Sequence, residues 1–128
     1  MDQDTDAAAL LTRLAEVIDA HDWAGLPALL HEDFTCHLVH TGERFGRDDW
    51  VRFNADYPGF QRMVAEDLVC DGGRGVLRAT VTGTDADGED EVFAVASFAT
   101  VRDAVIHELV EVWADVDQEP PPATRPLA

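Results

Sequence analysis

The chain is 128 residues long and 46% apolar, and it sets 26 acidic residues against nine basic ones for a formal net charge of −17. That length and apolar content suit one domain with one core. The acidity repels phosphate backbones and anionic lipid surfaces, so neither nucleic acid nor a membrane is an expected partner.

The opening Met1-Asp2-Gln3-Asp4 is acidic where a signal peptide would be basic, and no apolar run is long enough to span a bilayer, so a cytoplasmic location is expected. Leu10, Leu11, Leu14, Val17 and Ile18 recur at helical spacing, with Asp4, Thr5 and Asp6 as cap candidates, which predicts a first helix over residues 6–20. Asp22 can cap a second, short helix in which Trp23, Leu26, Leu29 and Leu30 share a face, with Pro27 tolerated in its first turn. From Phe34 the period becomes two, placing Phe34, Cys36, Leu38 and His40 on one side of a strand and Thr35, His37 and Val39 on the other. Thr41-Gly42 turns the chain into a short strand at Glu43-Arg44-Phe45. Gly46 breaks it, and Asp48 or Asp49 caps a third helix carrying Trp50, Phe53, Asn54 and Tyr57, which Pro58-Gly59 ends.

Four longer strands follow, at residues 60–71, 74–84, 91–102 and 105–116, separated by Asp71-Gly72-Gly73, Asp85-Ala86-Asp87-Gly88 and Arg102-Asp103. Three helices and a strand meander predict an α+β fold, with a curved antiparallel sheet wrapped around the helices as a cone with an apolar interior. The domain should cover residues 1–116. The tail, residues 117–128, has Pro120, Pro121, Pro122 and Pro126 and little to bury, and is expected to be flexible.

Several chemistries are disfavoured residue by residue. Every basic residue is Arg, and the absence of Lys removes Schiff-base chemistry and the phosphate-gripping lysine of a P-loop. Cys36 and Cys70 sit in strand-like stretches outside any CxxC pair, which suits buried free thiols. Ser97, the single serine, has no nucleophile elbow around it. His31, His37, His40 and His107 lack metal-ligand spacing, and His37 and His40 fall on opposite strand faces, so no metal site is expected. The acidic run Asp85 to Glu91 lacks the length and terminal Glu of a calcium loop and reads as a solvated hairpin tip.

The order of the helix junction Asp19-Ala20-His21-Asp22-Trp23, Glu32-Asp33-Phe34, Gly42-Glu43-Arg44-Phe45-Gly46-Arg47-Asp48, Phe53-Asn54 before Tyr57-Pro58-Gly59, Ala96-Ser97-Phe98 and the closing Glu111-Val112-Trp113 resembles the nuclear-transport-factor-2-like superfamily. Within it, the likeness is to small bacterial SnoaL-like proteins, with distant similarity to ketosteroid isomerases and polyketide cyclases. The resemblance spans residues 6–116 and implies a cone-shaped, cystatin-like α+β barrel that pairs as a homodimer through the outer face of its sheet. In ketosteroid isomerases of this fold a first-helix Tyr and a strand acid form an oxyanion hole, and a first-strand carboxylate moves the proton. Laid onto that pattern, this chain has Leu14, about Ala96, and Leu38 at those places, so steroid isomerisation is disfavoured. Polyketide-cyclase relatives pair an acid/base carboxylate with a cavity His, without metal.

The remaining polar candidates are few. His40 could act as acid or base near neutral pH, with Glu111 or Glu108 as its partner, depending on which of the two lies among apolar side chains. Asn54 and Tyr57 could donate to a substrate oxygen, and Trp50, Leu14, Leu38 and Trp113 could line an apolar ligand. The resulting expectation is a small-molecule pocket protein, cofactor-independent, that moves a proton on an apolar carbonyl or hydroxyl compound by isomerisation, cyclisation or dehydration. The alternative is a non-catalytic ligand-binding or dimeric interaction module of the same fold.

Overall fold

The computed structural model of the chain describes residues 6–125. The cap candidates Asp4 and Thr5 and the tail residue Pro126 lie outside them. Helix α1 (Ala7–Asp19) is capped by Asp6, whose side chain accepts from Ala9 N at 3.0 Å. It buries Leu10, Leu11, Leu14, Val17 and Ile18, the stripe read from the sequence.

The helix ends in a Schellman arrangement: Asp22 N–H donates to Val17 O and His21 N–H to Ile18 O, with His21 in the left-handed region at φ 57° where glycine is usual. His21 Nε2 makes a 2.9 Å hydrogen bond with Gln61 O, and its ring lies 4.9 Å from Phe60. The expected second helix does not form. Asp22 Oδ1 accepts from Gly25 N at 3.1 Å in a tight turn, and Pro27 has no N–H to extend a ladder, so only a 3-10 turn, Pro27–Leu29, follows. The described residues therefore form two α-helices.

Strand β1 (Leu30–Leu38) begins four residues before the alternation at Phe34, because Leu30 pairs with the last strand rather than closing a helix. A short β2 (Arg44–Gly46) runs antiparallel to it and leads directly into α2 (Arg47–Ala55). The N-cap of α2 is Gly46 and makes no side-chain bond; Asp48 and Asp49 instead sit in the first turn, where they oppose the positive end of the helix dipole. Strands β3 (Phe60–Asp71), β4 (Arg74–Thr84), β5 (Asp90–Arg102) and β6 (Val105–Asp115) make an antiparallel meander.

The sheet order is β2-β1-β6-β5-β4-β3, and β1 runs parallel to β6, so the sheet is mixed rather than antiparallel throughout. Alternation along a sequence sets which side a residue faces but not the direction of a distant partner. A bulge in β6 makes Thr100 oppose Glu108 while Val101 opposes Ile106, and the extra residue brings Ile106, Leu109 and Glu111 to the same interior side.

α1 lies across β3 and β4 on the inner face of the curved sheet. Gly75 is needed at this contact, because a Cβ there would meet Cys70 Sγ, Ala7 Cβ at 3.1 Å and Leu11 Cδ1 at 3.2 Å. At the helix end, Arg62 holds Asp19 through two bonds of 2.7 and 3.1 Å and Met63 N–H adds a third, which together hold the Asp19 carboxyl below its usual range. Residues 117–125 carry turns without helix or strand. Among the described residues no helix is long and apolar enough to cross a membrane.

Candidate functional site

Between α1, α2 and the inner side of the sheet lies a cavity of ≈ 290 Å³. Its deep wall is made by Ile18, Leu38, Trp50, Met63, Val81 and Glu111, all buried. Its mouth is formed by His40, the Tyr57-Pro58-Gly59 turn, Glu91, Asp115 and Gln118. Between the two zones stand Trp23, Asn54, Phe60, Phe93 and Trp113, each half-buried.

Glu111 is the one ionisable residue of the deep wall and is 5% exposed. On β6 it is flanked by Leu38 of β1 and Ser97 of β5, directly opposite it in the sheet register. Ser97 Oγ donates to Glu111 Oε2 at 2.8 Å, and Trp113 Nε1 donates to Oε1 at 3.3 Å. No described cation pairs with it. Burial therefore raises its pKa above the ordinary carboxylate range, opposed by the bonds from Ser97, Trp113 and the Cys36 thiol. Trp113 can only donate, so Oε1 is held as an acceptor. A proton on Oε2 is accommodated by Ser97, whose hydroxyl can accept as well as donate.

Cys36, on β1 beside this group, is pushed far up by burial first and by the neighbouring Glu111 second, and is an inert thiol. Trp50 Nε1 lies close enough to the Cys36 sulfur to favour a thiolate slightly, yet makes no hydrogen bond. Trp50 itself packs on Phe34 with centroids 5.2 Å apart. No group of three His, Cys, Asp or Glu side chains that could hold a metal converges among the described residues.

The family model of the SnoaL-like domain matches residues 11–109. The chain belongs to the SnoaL-like family. Among solved structures, this SnoaL-like domain superposes on a candidate ketosteroid isomerase from Kribbella flavida with a TM-score of 0.77, 28% identity, 94% of this chain and 89% of the other. A candidate polyketide cyclase from Xanthomonas campestris follows with a TM-score of 0.72, 25% identity, and 83% and 88% of the two chains. An NTF2-like protein of unknown function from Mesorhizobium loti has a TM-score of 0.69, 26% identity, and 89% and 97% coverage. No curated protein matches the chain.

The SnoaL-like domain brings some of the sequence candidates together and separates others. His40, Asn54, Tyr57, Trp50, Leu38, Glu111 and Trp113 all line the one cavity. Glu108 does not: three residues from Glu111 along the strand, it falls on the opposite side, exposed. Leu14 is buried beneath α1 and falls outside the lining, which α1 supplies through Ile18. His40 lies in the turn after β1 rather than on the strand, and is exposed.

Asn54 Nδ2 donates to Trp50 O at 2.8 Å, one helical turn back, which leaves its Oδ1 as the freer group. Tyr57 is 47% exposed with its ring edge-on to Phe53. Ala96, placed by resemblance at the isomerase acid position, is on the outer side of β5, whereas Ser97 is fully buried and inward. No sequence pattern marks Ser97, Phe53, Phe93 or Met63 as site residues. Ser97 was legible as the partner of a buried acid only through the β5–β6 register, which no local pattern specifies.

Proposed function

We propose that this SnoaL-like domain is a cofactor-independent small-molecule pocket protein in which Glu111 moves a proton on an apolar ligand bearing a carbonyl or hydroxyl. The observation that carries the reading is the carboxyl of Glu111: on the cavity wall, buried, without a cationic partner among the described residues, and fixed by Ser97 and Trp113. Burial makes such a group hold its proton to higher pH than an ordinary carboxylate, and that proton can pass to a developing alkoxide or a departing hydroxyl. Leu38 stands where isomerases of this fold keep their base, and Glu111 is its neighbour in the sheet register. The carboxyl thus reaches the same wall of the cavity from β6 instead of β1.

His40, at the mouth, is the second group: it would take the proton from the carbon beside the carbonyl while Glu111 donates to the oxygen; the proton then returns two carbons further along the resulting dienol of a β,γ-unsaturated ketone as the O–H proton goes back to Glu111. The candidate isomerase and candidate cyclase among the structural neighbours carry names for reactions that move protons beside a carbonyl, which fits this assignment.

The test is solvent deuterium incorporation next to the carbonyl of a panel of apolar ketones, followed by NMR. The wild-type protein should catalyse exchange, and Glu111→Gln should slow it by about 10²–10⁴-fold, the usual worth of a positioned acid or base. Exchange at the wild-type rate in Glu111→Gln removes Glu111 from the chemistry.

Ligand binding without turnover, with a thermal shift that survives Glu111→Gln, would favour the carrier reading. That second reading is supported by the outward apolar row Val69, Val76, Phe98 and Val110, neighbours across β3 to β6, beside Val112. Val69 is 65% exposed and Phe98 and Val112 are 43% exposed each. Such a patch is a surface to be covered, and we place the homodimer contact there. Phe98→Glu should convert a dimer to a monomer in light scattering; a wild-type chain already monomeric at high concentration rejects the contact.

A further inference from the structure

The mouth of the cavity carries negative charge that no described cation offsets. Asn54 has an amide N–H committed to Trp50 O and offers Oδ1, and the indole N–H of Trp113 is committed to Glu111. At the mouth, Glu91 and Asp115 have no ion pair among the described residues, and no Arg lines the cavity. A shallow depression continues outward past Tyr57-Pro58-Gly59 and is edged by Asp85 and again by Glu91. His40, Tyr57 and Gln118 can serve a neutral oxygen, whereas the two carboxylates are left without a partner of opposite charge among the described residues.

The aromatic lining is placed to complement this. Seven aromatic residues bound the cavity, and Phe93 and Trp113 form a corner with centroids 6.2 Å apart and planes at 74°. Phe93 is directly opposite Asp115 in the β5–β6 register. Strand alternation puts Glu91 on the same side as Phe93 and Asp115 on the same side as Trp113. Two carboxylates therefore flank an aromatic corner at the cavity entrance. Aromatic faces and carboxylates together attract an organic cation, because the ring quadrupole presents negative charge and the cation sheds little water on an apolar wall.

We propose that the ligand carries a protonated or quaternary amine that rests at the mouth, against the Phe93–Trp113 corner and between Glu91 and Asp115, with its apolar body in the cavity. The inference rests on the reading of this cavity as the ligand site and narrows the ligand class from apolar carbonyl or hydroxyl compounds to those that also bear an amine. It also gives the mouth a purpose distinct from the deep wall: the cation sets the depth of entry, and so which carbon and oxygen reach Glu111.

The experiment compares phenyltrimethylammonium with its neutral isostere tert-butylbenzene, titrated into the full chain at 0.15 M salt (about the physiological value) and followed by tryptophan fluorescence. The cation should bind about tenfold tighter than the isostere. Glu91→Gln/Asp115→Asn should remove most of that preference. Glu16→Gln/Glu32→Gln, which changes the net charge equally at exposed residues outside the lining, should keep it. Equal binding of the two probes by the wild-type protein overturns the amine class and leaves the pocket reading standing. Equal loss in both double variants assigns the preference to the overall acidity and overturns the proposal. No binding of either probe counts against the pocket itself.

Discussion

Glu111 couples function to stability. Its folded-state pKa is raised by burial, so between the unfolded value and the folded one the native state keeps a proton that the unfolded chain has released. Stability is therefore insensitive to this group below the unfolded pKa, falls as pH rises through the window, and levels off above the folded pKa. Glu111→Gln keeps an acceptor for Trp113 and a donor toward Ser97 but cannot ionise. Relative to wild type, it should raise the melting midpoint more at pH 8 than at pH 4, each 1 kcal/mol of gain reading as roughly 3–5 °C for a domain of this size. A variant less stable than wild type at pH 8 would mean that Glu111 is ionised and stabilised in the fold. Whether Glu108 or Glu111 faced inward could not be read from the chain, because both sit among alternating apolar residues. The packing of the sheet around its helices decided between them, and the bulge at His107 brings Ile106 to the Glu111 side.

At the level of elements, close approach rather than propensity fixes how α1 meets the sheet. Gly75 in β4 would be a poor strand residue in isolation, and its small size admits Ala7 and Leu11 of α1. Gly75→Ala should destabilise by about 1–3 kcal/mol, as overpacking does, measured as a lower denaturant midpoint with unchanged slope. An unchanged midpoint would mean the helix can shift without loss.

Other elements were legible for local reasons. α1 carries its own stripe and an Asp cap, and β3 to β6 are bounded by turn residues, so their ends agree with the sequence reading to within a residue or so. The sequence suggests a second helix that does not form because Asp22 serves equally well as a helix cap and as a turn acceptor. Its bond to Gly25 and the absence of a Pro27 N–H favour the turn.

Across the whole molecule the charge of −17 is a standing repulsion among surface carboxylates, partly relieved by contacts such as Arg62 with Asp19. Added sodium chloride should raise the melting midpoint as screening shortens to about 10 Å at 0.1 M and about 3 Å at 1 M. A midpoint that falls with salt would show that ion pairs outweigh the repulsion. The same acidity draws cations toward the molecule as a whole. Selectivity at the cavity mouth must therefore be read against a control of equal charge.

Composition, periodicity and turn residues by themselves determined an α+β domain, the alternation along its strands, and the family likeness, because each depends on residues near one another in the chain. The tertiary structure alone decided that β1 runs parallel beside β6, that the cavity wall carries Glu111 between Leu38 and Ser97, and that Glu91 and Asp115 stand at an aromatic corner. Those facts depend on register between strands tens of residues apart. Register is set by the packing of the whole sheet around the helices and by one extra residue in β6, not by any local preference.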